Sequence, residues 1–152
     1  MQDLPQVRKV FEANRPTMLS SRVTFSEHDL FQPQFIIAQI YILKLILHDW
    51  PTAECIRIIR SLIPALQPGA KILFIDYIGK PGGGEAAKLP RTFKQFGTAT
   101  DLRMMALFNT KERPVCDYEG FFKEASEGFE ILRVEANPET FIAVIEVVWR
   151  GL

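Results

Sequence analysis

The sequence predicts an α/β fold in which helices cover an open, mostly parallel sheet. Three observations support this prediction. Two strongly apolar segments, residues 35–47 and 70–78, have the continuous pattern of strands that are buried on both faces. Residues 52–69, which lie between them, have the pattern of an amphipathic helix. The chain then closes with two strand-like segments, residues 129–135 and 141–149.

The elements before the first apolar strand are expected to be short. Val7, Val10 and Phe11 have the i, i+3, i+4 spacing of an amphipathic helix, and Pro5 suits its first turn. Residues 22–25, RVTF, are expected to form a brief strand that a polar loop follows.

The second half of the chain adds a loop, two helices and a turn. The glycine-rich residues 80–91 have no phosphate-loop lysine and no GxGxxG spacing, so we expect a loop. A helix is predicted to begin near Thr98, because Thr98 and Asp101 have the spacing of a capping box. Another helix is predicted over residues 117–126, and a tight turn over 137–140 would join the closing strands.

Composition excludes several classes of function. The 152 residues contain 18 Lys and Arg and 18 Asp and Glu, so the formal net charge is zero. Without a basic surplus, we expect no binding to nucleic acid or to an anionic membrane surface. Cys55 and Cys116 form no CxxC pair and no metal-ligand spacing, and with the polar N-terminus they favour a cytoplasmic protein without a metal. The longest apolar run, residues 35–47, is too short to cross a bilayer.

The first apolar strand ends at LILHDWP, which places one of the two histidines at the end of the most hydrophobic segment. His48 follows this strand, and Asp76 stands at the same end of the next one. Because ligands bind beyond the carboxyl ends of parallel strands, the two residues would meet at the rim if the strands are neighbours. A neutral imidazole can take a proton from a hydroxyl, and a carboxylate on its far nitrogen fixes its tautomer.

Spacing alone leaves purely structural roles open for the same residues. His48 and Asp49 could instead cap the helix that begins near Thr52. The other candidates, taken singly, look like loop acids, a surface charge and core methionines: Asp3, Asp29, Glu112, Met104 and Met105.

Four blocks of the chain together resemble the plant and fungal S-adenosylmethionine-dependent O-methyltransferases, and the fungal secondary-metabolite members most of all. They are LILHDWP, CIRIIRSLIPALQPGAKILFID, DLRMMALFNTKER and FIAVIEVVW, of which HDWP with the downstream FNxxER is the most specific combination. The resemblance implies a Rossmann-like methyltransferase sheet, S-adenosyl-L-methionine as cofactor, and a hydroxylated small molecule such as a polyketide aromatic as substrate.

The resemblance also implies roles for individual residues. His48 would be the general base that deprotonates the acceptor hydroxyl, and Asp76 and Glu112 would position it. The cofactor would contact Asp3 at its ribose, Asp29 and Leu30 at its adenine, and Lys44 near its methionine end. The substrate pocket would include Met104, Met105 and Asn109.

Two parts of the family pattern lie outside this sequence: the N-terminal dimerisation region, and the first strand with its glycine-rich turn. Residues 1–152 are therefore expected to form a partial catalytic domain with an incomplete sheet. The strand at 22–25 would lack a partner, and the apolar strand after it would form an exposed edge. Three alternatives stay open: a truncated methyltransferase, a homo-oligomer or partner chain that supplies the missing strands, and a pericyclase-like relative without methyl transfer.

Overall fold

The computed structural model describes residues 1–77, 91–137 and 142–152. The strands are β1 (Gln2–Asp3), β2 (Ser26–Glu27), β3 (Ile40–Lys44), β4 (Lys71–Tyr77), β5 (Phe129–Asn137) and β6 (Ile142–Trp149). The helices are α1 (Arg8–Asn14), α2 (Thr52–Leu62), α3 (Arg91–Phe108) and α4 (Val115–Ala125). Short 3-10 turns occur at Pro5–Val7, Thr17–Leu19, Leu47–Asp49 and Ile63–Ala65.

The main sheet has the strand order β3–β4–β6–β5. β3 and β4 are parallel neighbours, with Ile40 opposite Lys71 and Lys44 opposite Ile75. β6 lies between β4 and β5 and is antiparallel to both. This order confirms the predicted α/β sheet with its closing strand pair. It also places the carboxyl ends of β3 and β4 side by side.

The hydrophobic core lies on one face of the main sheet. Alternate residues of β4 and β6 are buried, and α2 and α4 contribute the apolar side chains that join them in the core. The rings of Phe74 on β4 and Phe122 on α4 lie 5.0 Å apart between centroids. Burial of each such large apolar side chain stabilises the fold by about 1.5–3 kcal/mol. The core therefore fixes α2, and with it the turn that precedes α2, against the sheet.

The edge strand β3 is not buried on both faces, so that prediction is wrong. Tyr41 is buried, but Ile40 and Ile42 are 55% and 64% exposed. In the described part of the chain β3 forms one edge of the main sheet, which agrees with the predicted exposed edge. The described part of the chain therefore leaves some of the apolar side chains of β3 uncovered.

The strand predicted at residues 22–25 is also wrong. Arg22 and Val23 close a turn onto the carbonyl of Leu19, and the strand forms at Ser26–Glu27 instead. This strand pairs in parallel with β1, so the expectation that it would lack a partner is wrong as well. The first residues of the chain supply the partner that the sequence pattern did not reveal.

The helix predicted to begin near Thr98 begins at Arg91, so Thr98 lies in its interior and starts no capping box. The predicted α4, β5 and β6 agree with the structure to within two residues. The loop predicted over 80–91 and the turn over 137–140 fall largely outside the described residues. Within the described ranges, no helix is long and apolar enough to cross a membrane.

Candidate active site

The rim of the sheet is formed where β3 and β4 end next to each other. The amide of Leu45 donates to the carbonyl of Ile75 at 2.8 Å, which extends the ladder one residue beyond β3. Leu45 then adopts a φ of 53°, a left-handed conformation that costs a non-glycine residue about 1–2 kcal/mol. The chain turns away from the sheet at this point and enters the 3-10 turn that carries His48. Packing at the rim therefore holds Leu45 in a strained backbone conformation, three residues before the candidate base His48.

Asp76 does meet His48, but through the backbone rather than through the ring. Its Oδ2 accepts a hydrogen bond from the His48 amide at 3.1 Å, and its Oδ1 accepts one from the Tyr77 amide at 2.9 Å. The carboxylate is 3% exposed. The expectation that Asp76 binds the far ring nitrogen is therefore replaced by a different role: it anchors the main chain of the turn.

The imidazole itself is enclosed at the rim. His48 is 8% exposed, its Nε2 lies 3.4 Å from Asp49 Oδ1, and its ring centroid lies 5.4 Å from that of Tyr77. Its Nδ1 is buried and has no hydrogen-bond partner in the described part of the chain. From the sequence alone, Asp49 is assigned only a capping role, although its place beside His48 in the HDW motif is a signal that it can contact the ring. α2 begins after Pro51 without any side-chain cap, so the capping alternative is wrong.

Electrostatics at the rim favour a neutral imidazole. Burial lowers the pKa of His48 below its ordinary value of 6.5, the Asp49 carboxylate opposes this shift, and the Arg103 and Arg113 guanidinium groups reinforce it. Burial also raises the pKa of Asp76 from 3.8 to about 7, although the backbone N–H groups of Tyr77, His48 and Leu47 oppose the increase. A neutral imidazole near neutral pH is the form that accepts a proton.

Glu112 belongs to the same cluster. It follows α3 in the chain, and its backbone amide donates to Asp101 Oδ1 at 2.9 Å. Burial first, and the Asp101 carboxylate second, raise the pKa of Glu112 above its ordinary value. Its Oε2 is buried without a hydrogen-bond partner among the described residues. Glu112 also interacts electrostatically with Asp76 and Asp49. We call the three predicted catalytic residues the base side (His48, Asp76 and Glu112).

The predicted cofactor residues, the cofactor side (Asp3, Asp29, Leu30 and Lys44), also stand at or just beyond strand ends. Asp3 ends β1, and its Oδ1 accepts from the Leu4 amide at 2.8 Å. Asp29 follows β2, and its Oδ1 accepts from the Phe31 amide at 2.9 Å. Both carboxylates are half-buried, and neither second oxygen bonds a described residue. Oxygens of this kind fit the hydroxyl donors of a nucleoside, so the residues suit S-adenosylmethionine on this side.

The cofactor side is joined to the core by side-chain amides. Gln2 and Gln34 exchange two amide hydrogen bonds of 3.0 and 2.8 Å, and the backbone amide of Gln34 donates to the Ser61 carbonyl at 2.7 Å. The Ser61 hydroxyl in turn donates to the carbonyl of Leu30 at 2.8 Å. Lys44 is exposed at the end of β3.

The predicted substrate residues do not share one surface. Met104 is 1% exposed, whereas Met105 is 59% exposed. Asn109 is also exposed and ends α3 with a φ of 53°, a conformation that asparagine tolerates at the end of a helix. Separately, a groove of about 430 Å³ opens beside the HDW motif. It is lined by Asp49, Trp50, Pro51, Glu54 and Phe108.

Arg113 is a site residue whose role the sequence pattern did not indicate. It is 1% exposed, although arginine is rarely buried to this degree. The only available signal was its place in the ER pair, next to Glu112. Its hydrogen bonds reach the turn that carries His48.

Comparison with known proteins gives consistent results. Residues 1–130 match the family model described as O-methyltransferase domain. Over 152 residues, 99% of this chain, it is 36% identical to O-methyltransferase lcsG of Purpureocillium lilacinum and to the grayanic acid biosynthesis cluster O-methyltransferase of Cladonia grayi. It covers 32% and 33% of these two relatives, so it spans about a third of their length.

Solved structures share the fold. The structure of LepI in complex with SAM aligns with a TM-score of 0.80 and 24% identity, over 99% of this chain and 35% of that one. A structure entitled "A Pericyclic Reaction enzyme" aligns with a TM-score of 0.78, again at 24% identity and with the same coverage. At this level of identity the likeness concerns the fold alone. Because the family model covers most of its length, the chain belongs to the O-methyltransferase domain family.

Proposed function

We propose that this chain supplies the proton-removing side of an S-adenosylmethionine-dependent O-methyltransferase that acts on a hydroxyl group of an aromatic or polyketide-type secondary metabolite. One observation carries the proposal: a buried imidazole of lowered pKa stands at the rim where the parallel strands β3 and β4 end, in a chain of this family. The cluster origin of one relative, the grayanic acid enzyme, supports a secondary-metabolite substrate. Both cysteines are free thiols, which suits the cytoplasm.

The mechanism assigns proton removal to His48. The neutral imidazole accepts the proton of the acceptor hydroxyl, and Asp49, 3.4 Å from Nε2, stabilises the imidazolium that forms. A general base of this kind contributes about 10²–10⁴ in rate. Asp76 holds the backbone of the turn in place. The cofactor side would hold S-adenosylmethionine, which supplies a sulfonium methyl group that is already electrophilic.

Labelled methyl transfer tests this function directly. The chain is incubated with S-adenosylmethionine that carries an isotopic label on its methyl group, and with a panel of phenols and enols. We expect label in an acceptor, together with saturable cofactor binding in calorimetry that the Asp29→Ala substitution abolishes. The matched control is Glu119→Ala, an exposed acid on α4. Absence of both label and binding heat would reject methylation by the chain alone.

The exposed edge of the main sheet supports a second proposal, that a further copy or another chain completes the sheet. Ile40 and Ile42 of β3, and Phe35 and Ile37 before it, are all more than half exposed. A long apolar edge with unpaired backbone groups favours strand addition. We expect an assembly larger than a monomer in sedimentation, which Ile42→Lys weakens and the equally exposed Leu107→Lys on α3 leaves unchanged. A monomer at all concentrations would contradict the pairing of two copies and leave another chain as the one occupant of this edge.

A non-methylating reaction is the alternative function. The chain has no GxGxG turn, and its fold aligns with the structure entitled "A Pericyclic Reaction enzyme". This alternative predicts conversion of a substrate into an isomer of unchanged mass. A product in which a methyl group has replaced one hydrogen of the substrate would instead indicate methyl transfer.

A further inference from the structure

The turn that carries His48 offers two carbonyl groups to the interior, and several donors converge on them. The Leu47 carbonyl precedes His48, and the Trp50 carbonyl follows Asp49. Cys55 Sγ lies 3.1 Å from the first and 3.2 Å from the second. Thr110 Oγ1 donates to the Trp50 carbonyl at 3.1 Å. The two carbonyls are thus the points at which the interior holds the turn.

Arg113 contacts both carbonyls at once. Its Nη1 donates to Leu47 O at 3.1 Å, and its Nη2 donates to Trp50 O at 2.6 Å and to Thr110 Oγ1 at 2.9 Å. The guanidinium carbon also lies 5.3 Å from the ring centroid of Phe121. Because a guanidinium is planar and rigid, it sets the separation of the two carbonyls as well as bonding each of them.

These bonds differ from those of an ordinary buried ion pair. Within the described residues, each hydrogen-bond partner of this guanidinium is uncharged, and Nε has none. Glu112 lies within electrostatic range of Arg113, but a buried charge without a hydrogen-bonded carboxylate is costly, and a purely structural role would be filled more cheaply by an apolar side chain. The two carbonyls that it joins enclose the candidate base.

We propose that Arg113 is a positioning residue for His48: its guanidinium bridges the Leu47 and Trp50 carbonyls and so fixes the turn that holds the imidazole at the rim. The inference rests on the proposed role of His48 as the general base. The claim that Arg113 determines the position of the His48 ring can be tested without observing methyl transfer.

Charge and bridging can be separated experimentally. Among the described residues, the charged groups that act on the His48 ring are Asp49, Arg103 and Arg113, and Asp76 and Glu112 lie on the same base side. Arg103 and Arg113 both lower the pKa of His48, but only Arg113 bonds the turn. Arg103 is exposed and therefore provides a matched control.

The experiment is NMR on the complete chain, in which only His28 and His48 contribute histidine signals. The readouts are the nuclear Overhauser contact between the His48 and Tyr77 rings, the exchange rate of the His48 amide, and the His48 titration curve. For Arg113→Lys, which keeps the charge, we expect loss of the ring contact and amide exchange faster by about tenfold or more. For Arg113→Met, the same losses should accompany a higher pKa of His48. For Arg103→Met, the pKa of His48 should rise while the ring contact and the slow exchange persist.

Retention of the ring contact and of slow exchange in both Arg113 variants would overturn the proposal. If neither variant folds, the wild-type chain decides: bridging predicts Arg113 Nη protons that exchange slowly and show contacts to Leu47 and Trp50, and fast exchange would reject it. None of these measurements needs turnover. Absence of methyl transfer with the expected NMR result would therefore count against the proposed function alone.

Discussion

The base side and the cofactor side of this chain are fixed to different extents. On the base side, His48 is 8% exposed and stands on a turn that Asp76, Cys55 and Arg113 hold from three separate segments. On the cofactor side, Asp3 and Asp29 are half-buried and adjoin strands of two residues each. Packing among the described residues therefore holds the proposed base firmly, whereas the residues proposed for the cofactor are held less firmly.

The largest expected effect comes from removing the base itself. His48→Gln deletes the proton acceptor and keeps a side chain of similar size, so methyl transfer should fall by about 10²–10⁴. The measurement is labelled-methyl incorporation at saturating cofactor, in whichever assembly of the chain shows activity. His28→Gln is the matched control, because His28 packs against Phe35 with ring centroids 5.2 Å apart and the proposed mechanism assigns it no proton transfer. Equal activity of the His48 variant and the wild type would show that His48 is not the general base.

The pH dependence of stability provides the next largest effect. A carboxyl with a higher pKa in the folded chain binds its proton more tightly when folded, so Asp76 destabilises the fold increasingly as the pH rises from 3.8 to about 7. Asp76→Asn should therefore gain stability relative to the wild type across this window, by at most about 4 kcal/mol. The variant should also lose about 1–3 kcal/mol of stability at every pH, because one backbone amide that donates to the carboxylate is left unsatisfied.

Urea unfolding of the wild type and the Asp76 variant at a series of pH values measures this difference. Asp117→Asn is the control, since Asp117 forms a surface ion pair with Lys111 at 3.0 Å. His48 acts in the opposite direction: its lowered pKa destabilises the fold as the pH falls, because the unfolded chain then binds the additional proton. A difference between wild type and Asp76→Asn that stays constant with pH would show that Asp76 is not a buried carboxyl of raised pKa.

The sequence was sufficient to predict the parts that depend on local pattern. Two apolar runs, one that ends at His48 and one that contains Asp76 near its end, correctly predicted two strands with polar residues at their carboxyl ends, and the structure shows that these strands are parallel neighbours. Alternation and breakers likewise predicted β5 and β6. These features follow from which residues must be buried, and burial preference is visible in the order of residue types.

Contacts that depend on backbone geometry could not be predicted. Asp76 bonds an amide rather than an imidazole, and nothing about residue types distinguishes the two partners. Arg113 uses carbonyls that lie 66 and 63 positions earlier, so its burial depends on tertiary structure. β2 forms at Ser26–Glu27 because the first residues of the chain pair with it there, although RVTF has the higher strand propensity.

A smaller effect should come from the amide pair of Gln2 and Gln34, which joins the cofactor side to the core. Gln34 is buried, and its Oε1 accepts from the amides of Phe35 and Ile36 as well as from Gln2. Gln34→Leu leaves these donors unsatisfied and should cost about 1–3 kcal/mol. Hydrogen exchange should show faster exchange of β1 and β2 amides than of β4 and β6 amides in the wild type, and a wider gap in the variant. Gln32→Leu, at an exposed position, should change neither.

The smallest effect concerns a surface contact of the cofactor side. Arg8 donates from Nε and Nη2 to Glu27 Oε1, at 3.2 and 3.1 Å, and its guanidinium carbon lies 4.9 Å from the Phe25 ring centroid. Both charged side chains are about half exposed, so Arg8→Gln should cost no more than about 1 kcal/mol, less at high salt. Hydrogen exchange of the Ser26 and His28 amides, which donate to the carbonyls of Met1 and Asp3, measures this loss. A loss confined to these amides would show that the cofactor side opens as a unit of its own, whereas an equal loss in β4 would mean that both sides unfold together.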